Sequence, residues 1–182
     1  GIEASTRYFS RGNPIAADFE AWAEGDYRDA ARAESLRRRM NDFQDDFGYF
    51  GISLFDKAGV HRLSDHFEQH MASHRNDVLQ AINSDKTVLV DFHIHQNSIK
   101  RPMLGIVSPL EIGLGNGARS VGAAYISIPP EKNLLPLLAN WPTPSVSSET
   151  VLARVQGNRM QFVYASLDQE ARHPASVAIE QQ

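Results

Sequence analysis

The residues whose types and spacing suit chemistry are histidines with acids beside them. Asp91, His93 and His95 alternate, so on a β-strand all three project from one face while Val90, Phe92 and Ile94 take the other. Imidazoles two positions apart can share a metal, and a neighbouring carboxylate completes a facial set. A metal-binding protein or metal-dependent enzyme is therefore one reading. The plainer reading, hydrogen-bonded imidazoles on a half-polar strand, is preferred. His66, His70 and His74 recur every four residues along one side of a helix. A metalloprotease helix needs glutamate directly after its first histidine, whereas Phe67 and Met71 follow here. These three read as a mixed helix face, with His74 at the edge of the apolar stripe. Seven histidines titrating near neutrality would also make a crude acid sensor, a secondary reading.

Other reactive groups are scarce. The chain has no cysteine, which removes disulfides, thiolate metal sites and a thiol nucleophile together. It has no G-x-S-x-G elbow. The cluster Gly113-Leu114-Gly115-Asn116-Gly117 lies between two strands, without the helix N-terminus that would meet a phosphate, and reads as a hairpin loop. Eighteen Lys and Arg against 22 Asp and Glu give a net charge of −4, so no basic field exists to hold nucleic acid or anionic lipid. Arg37-Arg38-Arg39, flanked by Glu34, Asp42, Asp45 and Asp46, reads as a solvated helix face with pairs such as Arg38 with Asp42. No catalytic residues and no cofactor site are expected.

The elements that must position these residues follow from periodicity. With 182 residues, 42% of them hydrophobic, the chain can bury a full core without staples. Asn13-Pro14 offers a cap and a first helical position, and Ile15, Phe19, Trp22 and Ala23 recur at helical spacing. Gly25-Asp26 then interrupts. Ala33, Leu36, Met40, Phe43 and Phe47 step by three and four, predicting a helix from about Asp26 to Phe47 that either lies on a sheet or pairs with its twin. After Phe47 the period becomes two. Phe50, Ile52 and Leu54 form one arm of a hairpin, Asp56-Lys57-Ala58-Gly59 the turn, and Val60 to Leu63 the other arm. Ser64 or Asp65 caps a helix carrying Phe67, Met71, His74, Val78 and Ala81. Strands at Thr87 to His95, Met103 to Leu110 and Ser120 to Ile128 complete a five-stranded antiparallel sheet with a helical crossover, an α+β fold. Glu131 to Asn140 is a short helix, Trp141 to Ser145 a rigid linker, and Thr150 to Ser166 a hairpin with a third strand at Ser176 to Glu180.

The order helix, hairpin, helix, three strands is the PAS-like arrangement. Asp18-Phe19-Glu20-Ala21-Trp22, Leu54 to Val60 with Arg62-Leu63-Ser64, and Trp141-Pro142-Thr143-Pro144-Ser145 followed by Ser148 to Leu152 resemble the extracytoplasmic sensor domains of bacterial transmembrane histidine kinases and diguanylate cyclases, the double-CACHE or tandem PAS-like modules. The resemblance runs from about Asp18 to Tyr164, and its tryptophan-proline junction is its most specific part. It implies a helical segment over 1–47, a sensor domain over 48–140, and over 141–182 a linker with the start of a second PAS-like unit left incomplete at Gln182. It also implies a periplasmic place between two membrane spans outside this sequence, a homodimer paired through the N-terminal helix, and a small-molecule ligand whose binding reaches a cytoplasmic output domain. No cofactor and no activity of its own are implied. The ligand class stays open, because the amino-acid-binding signature of the best-known CACHE subgroup is not recognisable. Arg62, Lys100 and Arg101 adjoin strand ends and a loop, where a PAS-like fold covers its cavity, and a guanidinium there can hold a carboxylate through two bonds. For an anionic ligand the expected binding residues are Arg62 or Arg101, with His93 and Tyr125 as uncharged or switchable partners. The alternatives are the metal reading on Asp91, His93 and His95 and a ligand-free dimerisation module.

Overall fold

The computed structural model describes residues 14–65, 71–94, 102–113, 117–130, 152–156, 159–164 and 176–178. The chain divides into two compact units, Gly1–Pro129 and Pro130–Gln182. In the first, helices α1 (Pro14–Glu24) and α2 (Ala30–Phe47) precede β1 (Gly51–Asp56) and β2 (His61–Ser64). A 3-10 turn, Met71–His74, then leads into α3 (Arg75–Ser84), and β3 (Val88–Ile94), β4 (Pro102–Ile112) and β5 (Arg119–Ile128) follow. The five strands form one antiparallel sheet in the order β2-β1-β5-β4-β3. In the second unit β6 (Leu152–Gln156), β7 (Arg159–Tyr164) and β8 (Ser176–Ala178) form a three-stranded antiparallel sheet. The expected helix over 131–140, the linker over 141–145 and the glycine loop at 114–116 lie outside the described residues.

The sheet is covered on both faces. Ile52, Leu54, Leu63, Ile106, Leu110, Ala124 and Ile126 point toward α1 and α2 and meet Ile15, Phe19, Leu36 and Met40, all nearly inaccessible to solvent. On the other face Phe55, Val107, Ala123 and Tyr125 meet Val78 and Ala81 of α3. Burial on both sides explains why β1 and most of β5 are buried at successive positions instead of alternating. The stripe Ala33, Leu36, Met40 and Phe43 lies in the chain's own core, so of the two arrangements its spacing allowed, α2 takes the sheet.

Two boundaries and one register differ from the sequence expectation. Helix α2 begins at Ala30, not near Asp26, because Asp26 and Tyr27 adopt left-handed conformations that end the first helix's path, and Asp29 supplies the cap by accepting from Arg32 N–H at 3.0 Å. Its length is then about 27 Å. Ser64 and Asp65 do not cap the crossover helix. Ser64 ends β2 and shares a 2.7 Å hydrogen bond with Ser53, while the Asp65 carboxylate accepts from Ile52 N–H at 3.1 Å, and α3 starts only at Arg75. Finally, the register shifts between Val90 and His93. Val90 pairs with Gly105 and His93 with Met103, two apart on β4, so these two share a face that strict alternation would have denied them. The arginine run does form surface ion pairs, through Arg37 with Glu34 and Arg39 with Asp18.

Candidate functional site

The polar residues buried on the α3 face converge on Tyr125. Ser127, Gly105 and Val90 form one row across β5, β4 and β3, and Ser64, Ser53, Tyr125 and Val107 form the row beside it. The Tyr125 ring lies over Gly105. A Cβ there would stand 2.7 to 2.9 Å from three atoms of the phenol. Reaching across that glycine, the Tyr125 hydroxyl meets His93 Nε2 at 2.9 Å. His93 Nδ1 lies 3.0 Å from the Asp91 carbonyl, which can only accept. The neutral imidazole therefore carries its proton on Nδ1, and Nε2 accepts from the phenol. His74, at the turn that feeds α3, stacks on Tyr125 at 4.5 Å between ring centres and 23° between planes. It meets His93 edge-on at 4.7 Å. Its Nδ1 is 3.8 Å from the Asp77 carboxylate.

Two of its three rings are nearly dry, with Tyr125 only 1% and His74 6% exposed, while His93 is half-buried. Burial pushes the Tyr125 phenol well above its ordinary value of 10, the Asp77 charge adds to the rise, and a hydrogen bond from Ser127 opposes it. The folded state therefore keeps this phenol protonated where an unfolded chain would lose the proton. Stability is fully present below pH 10 and is lost as pH rises above it, by about 1.4 kcal/mol per unit for one such group. Urea unfolding between about pH 9 and about pH 11.5 should show this slope flattened in Tyr125→Phe. An equal slope in both proteins contradicts the assignment. A serine and histidine chain extends the polar face toward β2, where His61 Nε2 meets Ser64 Oγ at 2.7 Å and Ser64 Oγ meets Ser53 Oγ at 2.7 Å.

Gly105 holds this arrangement open. Gly105→Ala should displace the Tyr125 ring, break its bond to His93 and lower stability by about 1–3 kcal/mol. Gly117→Ala, where a Cβ meets nothing within 4 Å, should leave the melting temperature unchanged. Equal melting temperatures for the two variants would contradict the close contact.

Of the expected binding residues, the structure brings His93 and Tyr125 together and separates Arg62 from them. Arg62 sits at the register shift of the β1–β2 hairpin, with Nε at 2.8 Å and its terminal nitrogen at 2.6 Å from one Asp56 oxygen. Its guanidinium lies 4.2 Å from the centre of the Tyr27 ring, on the α1 and α2 side of the sheet. That fork fastens the hairpin to the helices. Arg101, His95, His66 and His70 lie outside the described residues. The metal reading gains no support, since both His93 nitrogens have protein partners and Asp91 is exposed. Among the described residues no group of three His, Asp or Glu is placed to hold a metal. Sequence reasoning passed over Ser53, Ser127, Gly105 and the roles of Ser64 and His74. Their signal was faint but present, because Ser53 interrupts Ile52 and Leu54 and Ser127 stands between Ile126 and Ile128. A separate cavity of about 180 Å³ lies between the start of α1 and the end of α2, lined by Pro14, Arg39, Asp42, Asp46 and Phe47, remote from this chemistry.

A five-stranded antiparallel sheet in this order, with a crossover helix packed on one face, is the PAS-like fold. Two solved structures that share it are the sensor domain of the V. cholerae histidine kinase DctB and the ligand-binding domain of the Campylobacter jejuni chemoreceptor Tlp3 in complex with L-valine. The first is 10% identical with a TM-score of 0.52, covering 85% of this chain and 74% of that one. The second is 12% identical with a TM-score of 0.56, covering 91% of this chain and 62% of that one, so the chain spans less than two thirds of the Tlp3 domain. The same Tlp3 domain with 4-methylisoleucine gives 11% identity and a TM-score of 0.53. No family model matches the sequence, and no curated protein matches it.

Proposed function

We propose that this chain is the extracytoplasmic sensing domain of a membrane-bound bacterial receptor, without catalytic activity of its own. It binds a small molecule on the α3 face of the five-stranded sheet and passes the event through its N-terminal helices to a cytoplasmic kinase or cyclase. The observation that carries this reading is the cluster of buried Tyr125 and His74 with half-buried His93 where the crossover helix begins. A stack of rings with a directed hydrogen bond offers shape and polarity to a ligand without stored reactivity. The shared fold supports the reading, and Tlp3 is itself solved with valine and isoleucine. Tyr125 and His93 are the central ligand contacts. Arg101, next to the first residue of β4, is kept as a ligand group from its sequence position. Arg62 is assigned to structure. The β6–β8 sheet is read as part of a second PAS-like unit. The homodimer belongs to the same proposal, and because the apolar stripe of α2 is buried on the sheet, pairing uses the helix's outward, charged side. The flanking spans are proposed as neighbouring segments; among the described residues no helix is long and apolar enough to cross a membrane.

Thermal unfolding against a panel of amino acids and short mono- and dicarboxylates tests the reading. A true ligand at a hundredfold excess over its Kd should stabilise the fold by about 2.7 kcal/mol, raising the melting temperature by several degrees. Tyr125→Phe and His93→Gln should weaken that ligand at least about tenfold, as expected when a buried hydrogen-bonding partner is removed. A shift that survives both substitutions refutes the site, and a panel with no shift refutes recognition of these ligand classes.

A further inference from the structure

We propose that the cavity between the start of α1 and the end of α2 binds a short alkanediammonium cation, at a site separate from the α3 face. Arg39, Asp42, Phe43, Asp46 and Phe47 follow one another at i, i+3, i+4, i+7 and i+8, so they lie along one face of α2 and line a cavity of about 180 Å³. Pro14 and Ile15 line it from the first turn of α1. At about 30 Å³ per water, this is room for about six waters, or for a chain of about six carbon and nitrogen atoms. Part of the wall is aromatic. Phe43 is buried, Phe47 is 40% exposed, and their ring centres are 4.6 Å apart.

The charge of this cavity is unbalanced. Arg39, the basic side chain among its described lining residues, is committed to Asp18, with Nε at 3.0 Å. Arg38 stands one turn before Asp42, as a helical ion pair requires, yet forms none with it, and Asp46 also has no basic partner among the described residues. Carboxylates one turn apart repel each other, and in the last turn of a helix they meet the negative end of its dipole. That turn of α2 carries no basic residue, and Asp45 adds another acid to it. The local electrostatics thus oppose the arrangement, a conflict of the kind that folded chains keep where they bind something. A bound diammonium reverses the sign. Its two charges sit against Asp42 and Asp46, whose Cβ atoms stand about 5–6 Å apart at this spacing, and four methylenes span that distance. The methylenes lie on Phe43, Phe47 and Ile15, which adds apolar contact and cation–π attraction. A hard metal ion, which needs several converging oxygens, gains nothing from the two phenyl rings. Carboxylate ligands are repelled here, so this site and the α3 face select opposite charges.

Backbone amide NMR of the 182-residue chain, titrated with 1,4-diaminobutane at neutral pH and constant ionic strength, tests the site. Shifts should saturate, centre on Asp42, Phe43, Asp46 and Phe47, and leave Tyr125 and His93 in place. Butylamine should bind more weakly, and 1,4-butanediol and magnesium chloride should not reproduce the pattern. Asp42→Asn and Asp46→Asn should each weaken the diamine about twofold to fivefold, and together abolish its binding. The unliganded double variant should melt no lower than the parent, since it loses a repulsion. The proposal is overturned if the diamine leaves these amides unmoved, if butanediol or magnesium matches it, or if butylamine binds as tightly. A double variant that still binds, or that melts below the parent, overturns it as well. None of these probes carries a carboxylate, so failure of the amino-acid and carboxylate panel leaves the outcome decisive, and failure here leaves the α3 face untouched.

Discussion

Replacing Gly122 with alanine is expected to lower the stability of the first unit by about 3 kcal/mol or more. Gly122 lies on β5 between Asp56 of β1 and Leu110 of β4. A Cβ at this point runs into the carbonyl oxygen of Phe55, and it comes within 3.0 Å of the Phe19 ring. The carbonyl belongs to the neighbouring strand and cannot rotate aside, so the β1–β5 pairing itself must open. Phe19 is fully buried and anchors an aromatic group with Trp22 and Tyr27 at 6.2 and 6.0 Å between ring centres. Pushing that ring away also loosens α1 from the sheet. Urea unfolding followed by tryptophan fluorescence measures the loss, and a variant within about 1 kcal/mol of the parent would contradict this packing.

Asp56→Ala is expected to remove about 2–4 kcal/mol, enough to lower the melting temperature by roughly 10 °C. One oxygen of this carboxylate accepts from Ala58 N–H and Val60 N–H at 2.9 Å each, closing the turn in which Gly59 takes a φ of 71°. The other oxygen holds the Arg62 fork. Alanine leaves two backbone donors and a guanidinium without their acceptor, and it frees the contact of Arg62 with Tyr27. Asp56→Asn keeps an acceptor for the turn but turns its amide toward the arginine, so an intermediate loss is expected. If Arg62→Ala proved as damaging as Asp56→Ala, the turn bonds would carry none of the effect and the account of this hub would be wrong.

These two residues show what a sequence reveals. Asp56-Lys57-Ala58-Gly59 was readable as a turn because the signal is local. That its aspartate would also hold Arg62 and, through it, Tyr27 was hidden, because the register shift at Arg62 decides which way that side chain points. The same physics separates the legible from the illegible elsewhere. The stripe along α2 and the five strands follow from periodicity, which each segment carries within itself. The start of α2 was misplaced by four residues because left-handed Asp26 and Tyr27 leave no compositional mark. Tyr125 and His93 were both named as candidate ligand partners, but their pairing depends on the irregular register between Val90 and His93 and on a missing Cβ at Gly105. His74 arrives from a separate element altogether. Contacts made by crossover and register are long-range facts, and a lone serine within an apolar strand was the main trace they left.

In the proposed function, the α3 face is the place where a ligand is read. Backbone amide shifts, recorded while the strongest stabilising compound from the panel is added, locate that place directly. Perturbations should centre on Tyr125, Ser127, Gly105 and His93 and fade toward Asp42 and Phe47 at the far end of α2. Perturbations centred instead on the cavity between Pro14 and Phe47, with Tyr125 and His93 unmoved, would contradict it.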